Sequence, residues 1–339
     1  TISQKVTNAL ALPFSAYAAD PEIKFGREAV ERALRGVIGY RVYRDLRRGW
    51  RISSPNLEQC GLLEIDYAEL DLLAAADDIW LNLHPVLGTA SAEIRKTVCR
   101  TLLDYIRREL CIEVDYLNTD YQDVLRRNSR SQLREPWAFD EGEVFERARA
   151  MFPCQRSVAE SDRDAIFISA LSGFGQYLRA SSTFPGQPPI DVATSQDIIG
   201  ALCEGLRQAN ILRECYPKGV RAPVPGYRIN SACLIWRAGE GKVAYRDRIR
   251  MPNAPTEGGI PNPFFTSLYQ TRVHRYRTIH SREHTAQVPS PVRIEREKHF
   301  GDALLPILFC SPTMELGIDI KDLNTVNLRN IPPTPANYA

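Results

Sequence analysis

Leu305-Pro306-Ile307-Leu308-Phe309-Cys310 is a short, continuous apolar run, the composition of a strand buried on both faces of a parallel sheet. Directly after it come Ser311-Pro312 and then Thr313-Met314-Glu315-Leu316-Gly317-Ile318-Asp319-Ile320. A hydroxyl just past a strand end, Ser311 or Thr313, can bond a nucleic-acid phosphate. Gly317 lets the backbone come close to a ligand, and Asp319 can accept hydrogen bonds from a ribose hydroxyl or from a neighbouring side chain. Thr325-Val326-Asn327-Leu328 reads as another such strand after a polar, glycine-containing connection. The expected architecture is α/β, with ligand chemistry at the carboxyl ends of the strands.

Working outward, Arg282-Glu283-His284-Thr285-Ala286-Gln287 precedes this stretch, and Arg293, Glu295, Arg296 and Phe300-Gly301 lie between the two. Downstream stands Val326-Asn327-Leu328-Arg329-Asn330-Ile331-Pro332-Pro333-Thr334-Pro335-Ala336-Asn337-Tyr338. The stretch from Thr313 to Ile320 closely resembles motif V of superfamily 2 DNA helicases. The segment around His284 looks like the motif that precedes it in that family, and the last segment is similar to the one leading into motif VI. Cys310 to Gly317 and Pro332 to Tyr338, together with Val37 to Leu46 and Pro55 to Gly61, resemble the large helicase subunit of the bacterial DISARM anti-phage system.

The resemblance implies an incomplete second RecA-like lobe of the P-loop NTPase type, interrupted by a mostly helical insertion that contains a winged helix. Its residue roles follow from the motifs: His284, Thr285, Ser311 and Thr313 would hold the DNA backbone, while Gly317 and Asp319 would couple nucleotide to strand. ATP and Mg²⁺ would be bound mainly by a first lobe that this sequence lacks, since no phosphate-binding loop, Asp-Glu box or arginine finger occurs here in a matching motif. The implied partners are DNA and further subunits of a defence complex.

The expected organisation is a tail of the early second-lobe segment (1–25), the insertion (26–189), a winged-helix-like module (190–238), a linker (239–261) and the lobe itself (262–339). In the insertion, Val30, Leu34, Ile38, Val42 and Leu46 recur four apart as a helical row, although Gly36 and Gly39 weaken it. Arg41, Arg44, Arg47, Arg48 and Arg51 crowd the same row, either as a salt-bridged face or as a phosphate-contacting one. Ser91 caps the clearest helix, with Glu93 in its first turn, a core stripe at Ile94, Val98, Leu102, Tyr105, Ile106 and Leu110, and Arg107 and Arg108 in the last turn. A further helix is expected over 141–150. After Pro185-Gly186-Gln187-Pro188-Pro189, Thr194 is expected to cap a helix that ends at Asn210, and short apolar pieces separated by turns follow. Helix then hairpin is the order of a winged helix. Lys218, Arg221 and Arg228 would lie on or near its wing, where such a module either touches DNA or only packs.

The totals are permissive. The 339 residues suggest two or three domains, and 44% hydrophobic with 25% charged residues is ordinary for a globular protein. A net charge of +2 means that any basic footprint must be local. The eight cysteines are scattered without a Cys-x-x-Cys pair, which argues against a zinc ribbon and a disulfide framework. No apolar run approaches the roughly 18 residues that span a bilayer, and the start is neither a signal peptide nor a methionine. The reading is a cytoplasmic protein without a membrane partner, cut at both ends.

Three tempting matches carry little. Gly241-Lys242 lacks the first glycine and the Ser or Thr of a phosphate-binding loop, so a turn is expected. Gly173-Phe174-Gly175 is a lone Gly-x-Gly without a clear strand before it. His280 and His284 are four apart but have no cysteine or carboxylate pattern beside them, so no metal is expected. Two other functions fit the same residues: a non-catalytic winged-helix nucleic-acid-binding module, and a scaffold of a defence or DNA-repair complex whose helical insertion docks a partner subunit.

Overall fold

The computed structural model describes residues 13–48, 55–156, 164–217, 222–250, 258–272, 279, 281–310, 325 and 327. The chain divides into two units, Thr1–Thr266 and Ser267–Ala339. In chain order the first contains α1 (Arg27–Arg48), β1 (Leu63–Tyr67), the short helices α2 (Leu70–Ala75), α3 (Asp77–Leu83) and α4 (Pro85–Thr89), and the long α5 (Ala92–Arg108). Then come β2 (Ile112–Glu113), α6 (Thr119–Gln132), β3 (Ala150–Phe152), β4 (Ala165–Phe167), α7 (Gly173–Arg179), α8 (Val192–Gln208), β5 (Leu212–Cys215), β6 (Gly226–Asn230) and β7 (Leu234–Ala238).

Helix α5 forms as its local signals require. Ser91 Oγ accepts the Ile94 N–H at 3.3 Å, Glu93 sits at the positive end of the helix, and Leu110 closes the other end with a positive φ of 59°. Its stripe of Val98, Leu102, Leu103 and Ile106 meets Ile198, Ile199, Leu202 and Leu206 of α8 in one buried cluster, to which Trp80 contributes. Each such side chain gains about 1.5–3 kcal/mol on burial, so α5 and α8 form the centre of a common core. Helix α8 is capped by Asp191, whose carboxylate accepts the Thr194 N–H at 2.7 Å. Thr194, the expected cap, therefore lies inside the first turn. Asn210 ends the helix with φ 54°.

Strand β6 organises a five-stranded mixed sheet. It pairs antiparallel with β5 (Leu212↔Ile229 to Cys215↔Gly226) and with β3 (Met151↔Tyr227), and parallel with β2 (Ile112↔Ile229). Strand β4 lies parallel to β3. A separate antiparallel ribbon joins β1 to β7.

This arrangement bears on four expectations. In the insertion, expected to be mostly helical, helices make up most of the regular structure, with β1 to β4 among them. Residues 190–238 are not packed as a separate module, since α8, β5 and β6 complete the sheet and core begun upstream. The helix-then-hairpin order is present, but β6 is an interior strand and not a free wing. The segment 239–250 is no loose linker: Gly239 and Gly241 donate to the carbonyls of Leu62 and Gly61, and Tyr245 donates to that of Glu58.

The helix expected over 141–150 is also absent; those residues form an extended strap up to β3. Its carbonyls are claimed by side chains spaced four apart on α6. Gln122 Nε2 donates to Glu146 O (2.7 Å), Arg126 to Glu143 O (3.1 Å) and Arg130 to Glu141 O (2.9 Å). Tyr40 of α1 stacks on Phe145 (4.5 Å between centroids) and accepts the Glu146 N–H at 2.9 Å. A helix could not present those carbonyls outward while using them internally. Gly36 and Gly39, weak positions for a helix, are places where neighbouring side chains come close to the α1 backbone. A Cβ on Gly39 would stand 2.5 Å from the Tyr116 ring, and one on Gly36 would overlap Leu125 of α6.

In the second unit, after α9 (Pro263–Ser267) at the division and a π-helical turn over Leu268–Arg272, β8 (Ser281–His284), α10 (Ser290–Gly301) and β9 (Ile307–Cys310) form a strand-helix-strand unit. The strands are parallel, in register from Ser281↔Ile307 to His284↔Cys310. Strand β9 was expected to be buried on both faces, yet Phe309 is 63% exposed and Ile307 41%. Among the described residues β9 pairs with β8 alone, and a parallel strand is buried only when strands flank it and layers cover both faces. The segment 325–328 falls mostly outside the described residues, as do 311–324.

Candidate functional site

The carboxyl ends of β8 and β9 lie side by side, because the parallel register sets His284 opposite Cys310. The His284 ring is buried, and its Nε2 lies 2.5 Å from Glu297 Oε1 on α10. The contact fixes the ring and ties the strand end to the helix. Next to it, Arg296 donates to the Glu283 carbonyl at 2.7 Å, a second tie between α10 and β8. The Cys310 thiol is pushed above its usual range, first by partial burial and then by the Glu297 carboxylate, so it is no ready nucleophile.

Thr285 follows immediately, and its Oγ1 is buried with no hydrogen-bond partner among the described residues. A buried hydroxyl in that state has forgone its bonds to water at a cost of about 1–3 kcal/mol; an incoming acceptor or donor at the strand ends would recover it. Of the residues singled out in sequence, the structure thus brings His284 and Thr285 together at one edge. Ser311, Thr313, Gly317 and Asp319 lie outside the described residues. Glu297 carried no signal in the sequence, since its role depends on α10 folding back over β8.

The expected wing gives a different picture. Lys218 and Arg221 lie outside the described residues. Arg228, on β6, is half-buried and donates through Nε to Arg149 O (3.0 Å) and through Nη2 to Ala148 O (3.2 Å). Those bonds tie the strap to the sheet.

The glycine-rich sequences have structural explanations. Gly241-Lys242 lies in a bend where Lys242 pairs with Glu240 at 2.6 Å, and the described residues directly after it, 243–250, form no helix. Gly173-Phe174-Gly175 does follow a strand, β4, and opens α7. Its space is already filled: Ser172 Oγ accepts the Gly175 N–H at 3.3 Å, and a Cβ on Gly175 would overlap the Ala170 backbone. Gly175→Ala is therefore expected to destabilise the first unit by about 1–3 kcal/mol, the usual cost of overpacking. A thermal melt checks this, and an unchanged midpoint would refute the close approach. His284 ends a strand and does not lie on a helix. Among the described residues no group of three or more His, Cys, Asp or Glu side chains could hold a metal ion.

Compared with known proteins, the chain matches no family model, no curated protein and no solved structure.

Proposed function

We propose that this chain is part of an ATP-dependent DNA helicase or translocase of superfamily 2, acting in anti-phage defence, and that the strand ends of its second unit hold a nucleic-acid backbone. The observation that carries the reading is the parallel pair β8 and β9 joined by α10, which sets His284 opposite Cys310, with the buried Thr285 hydroxyl beside them having no partner among the described residues. In α/β sheets this edge is where ligands bind, and the residues after Cys310 carry the resemblance to motif V.

In this reading His284 is a positioning residue. Held by Glu297, it orients the turn from which Thr285 meets a phosphate oxygen. Ser311 and Thr313 serve the second strand end, with Gly317 and Asp319 linking it to nucleotide. ATP and Mg²⁺ would supply the driving reaction in the intact protein. The described residues contain no group of three or more side chains that could hold a metal ion. DNA and partner subunits are the proposed partners. No described helix is long and apolar enough to cross a membrane.

A packing role for the β5–β6 hairpin is favoured over a DNA-contacting wing by one observation, the commitment of the Arg228 guanidinium to two carbonyls of its own chain. Lys218 and Arg221 remain the wing residues that a nucleic acid would meet.

Thr285→Val keeps the shape and removes the hydroxyl. Single-stranded DNA affinity is expected to fall several-fold, and the slope of log affinity against log salt should flatten by about 0.7, the loss of one phosphate contact. Fluorescence anisotropy across a salt series measures both. Unchanged affinity and slope at an unchanged melting temperature would remove Thr285 from the interface.

A further inference from the structure

The strap over residues 140–147 carries Asp140, Glu141, Glu143 and Glu146. Beneath it α1 presents Arg41, Arg44 and Arg47, three apart on one face. Arg44 and Arg47 pair with Glu143 and Glu146, and Arg41 approaches Glu143 at 3.9 Å. From the other side Arg126 and Arg130 of α6 hold strap carbonyls, and Arg126 also lies 4.4 Å from the Phe145 ring centroid. Five arginines thus converge on a segment of irregular backbone. Between the strap and α6 lies a pocket of about 280 Å³, lined by Gln122, Asp123, Arg126, Glu143 and Arg147 among others. Val144, between the two paired glutamates, is 82% exposed.

The strap has the character of a substitute ligand. Phe139 and Phe145 anchor it against Tyr40, α6 holds its backbone carbonyls, and α1 holds the carboxylates of Glu143 and Glu146 by ion pairs. Carboxylates spaced along an extended backbone meet a row of guanidinium groups, and the phosphodiesters of a nucleic-acid strand, each with one negative charge and two free oxygens, can take the same bidentate partners. The arginine row runs over two turns of α1, about 9 Å at 1.5 Å per residue, which covers two or three successive phosphates of a single strand.

We propose that the arginine face of α1 and α6 is a nucleic-acid backbone site that the acidic strap occupies until a strand displaces it. This surface lies in the first unit and does not rest on the strand-end reading. The strap lowers affinity for short or weakly held strands, because binding must first break its ion pairs.

The test compares the full chain with Glu143→Gln/Glu146→Gln in anisotropy titrations with labelled single-stranded DNA across a KCl series. The double variant is expected to bind about tenfold more tightly at low salt, with a slope steeper by roughly 1.5–2, two or three added phosphate contacts at about 0.7 each. Adding Arg44→Ala to it should remove part of the gain, and adding Thr285→Val should leave the gain intact. That last arm separates failure here from failure at the strand ends. Equal or weaker binding by a double variant with a normal melting temperature overturns the proposal. If the variant melts early, wild-type chain is digested with a Glu-specific protease, with and without DNA. Faster cleavage at Glu141, Glu143 or Glu146 with DNA supports displacement. Protection or an unchanged rate overturns it, and so does release by heparin but not by DNA.

Discussion

Arg107→Met is expected to destabilise the first unit by about 3–5 kcal/mol, the usual result of removing one partner from a buried ion pair. Arg107 is fully buried in the last turn of α5, a place its sequence marked only as favourable for positive charge. Its Nη1 meets Glu58 Oε2 at 2.5 Å, Nη2 meets Asp104 Oδ1 at 3.0 Å, and Nε donates to the Tyr67 hydroxyl at 2.9 Å. That hydroxyl in turn donates to Asp104 at 2.8 Å. Burial opposes the Arg107 charge, but Tyr67, Glu58 and Asp104 outweigh it and hold the group well above its usual pKa. Methionine fills similar space and leaves two carboxylates without their cation, Glu58 being almost wholly buried. Glu58→Gln should cost less, since it keeps a hydrogen-bonding group and leaves Asp104 to balance the guanidinium. Urea denaturation of both variants and of the double variant gives the coupling. A loss below about 1 kcal/mol for Arg107→Met, typical of exposed pairs, would mean that water reaches the network.

The contrast between this cluster and helix α5 shows what the sequence made legible. The helix was readable because its causes are local: a capping serine, an acidic first turn and a stripe at helical spacing. Glu58 and Arg107 are 49 residues apart, and nothing near either one announces the other. The strap is the sharper case. Residues 141–150 have a composition compatible with a helix, but the hydrogen bonds that decide their conformation come from Gln122, Arg126 and Arg130. Side chains of another element overrode a weak local preference. Likewise, the arginines of α1 could be read as salt-bridged or as phosphate-contacting; the structure supplies their carboxylates, Glu143 and Glu146, from about one hundred residues downstream.

At the candidate site the legible part was also the local part. The resemblance to a helicase motif implied a strand end and turn at His284-Thr285, and β8 ends there. Glu297 could not, because its position depends on α10 packing over β8. The exposure of β9 was illegible for a related reason: an apolar run reports what a strand is suited to, while its burial depends on neighbours that the run does not encode.

The 339-residue chain, assayed by itself, is expected to turn over no ATP and to hold DNA weakly. Phosphoryl transfer needs a glycine-rich cradle with its lysine, a Ser or Thr and a carboxylate for magnesium, and an arginine for the transition state. The Gly-Lys pair at 241–242 is followed by Val243 and lies in a bend. The Asp-Glu pair at 140–141 lies in the strap and not at a strand end, and the carbonyls of both residues face Arg130. Loss of an arginine finger alone is worth about 10³–10⁵ in rate, so a sequence with none of these parts in a matching motif should show no measurable turnover. DNA contact is different, because it is spread over many phosphates and needs no single intact motif. The Thr285 turn, the residues after Cys310 and the arginine face under the strap would together give non-specific binding, with a dissociation constant of roughly 10⁻⁴–10⁻⁶ M that weakens steeply with salt. Purified chain is assayed for ATP turnover with and without DNA, and for anisotropy across a salt series. DNA-stimulated turnover that co-purifies with the chain through successive columns would refute the assignment of ATP chemistry to residues outside it. A failure to bind DNA even at low salt would leave the scaffold reading, in which the helical region docks another subunit, as the better account.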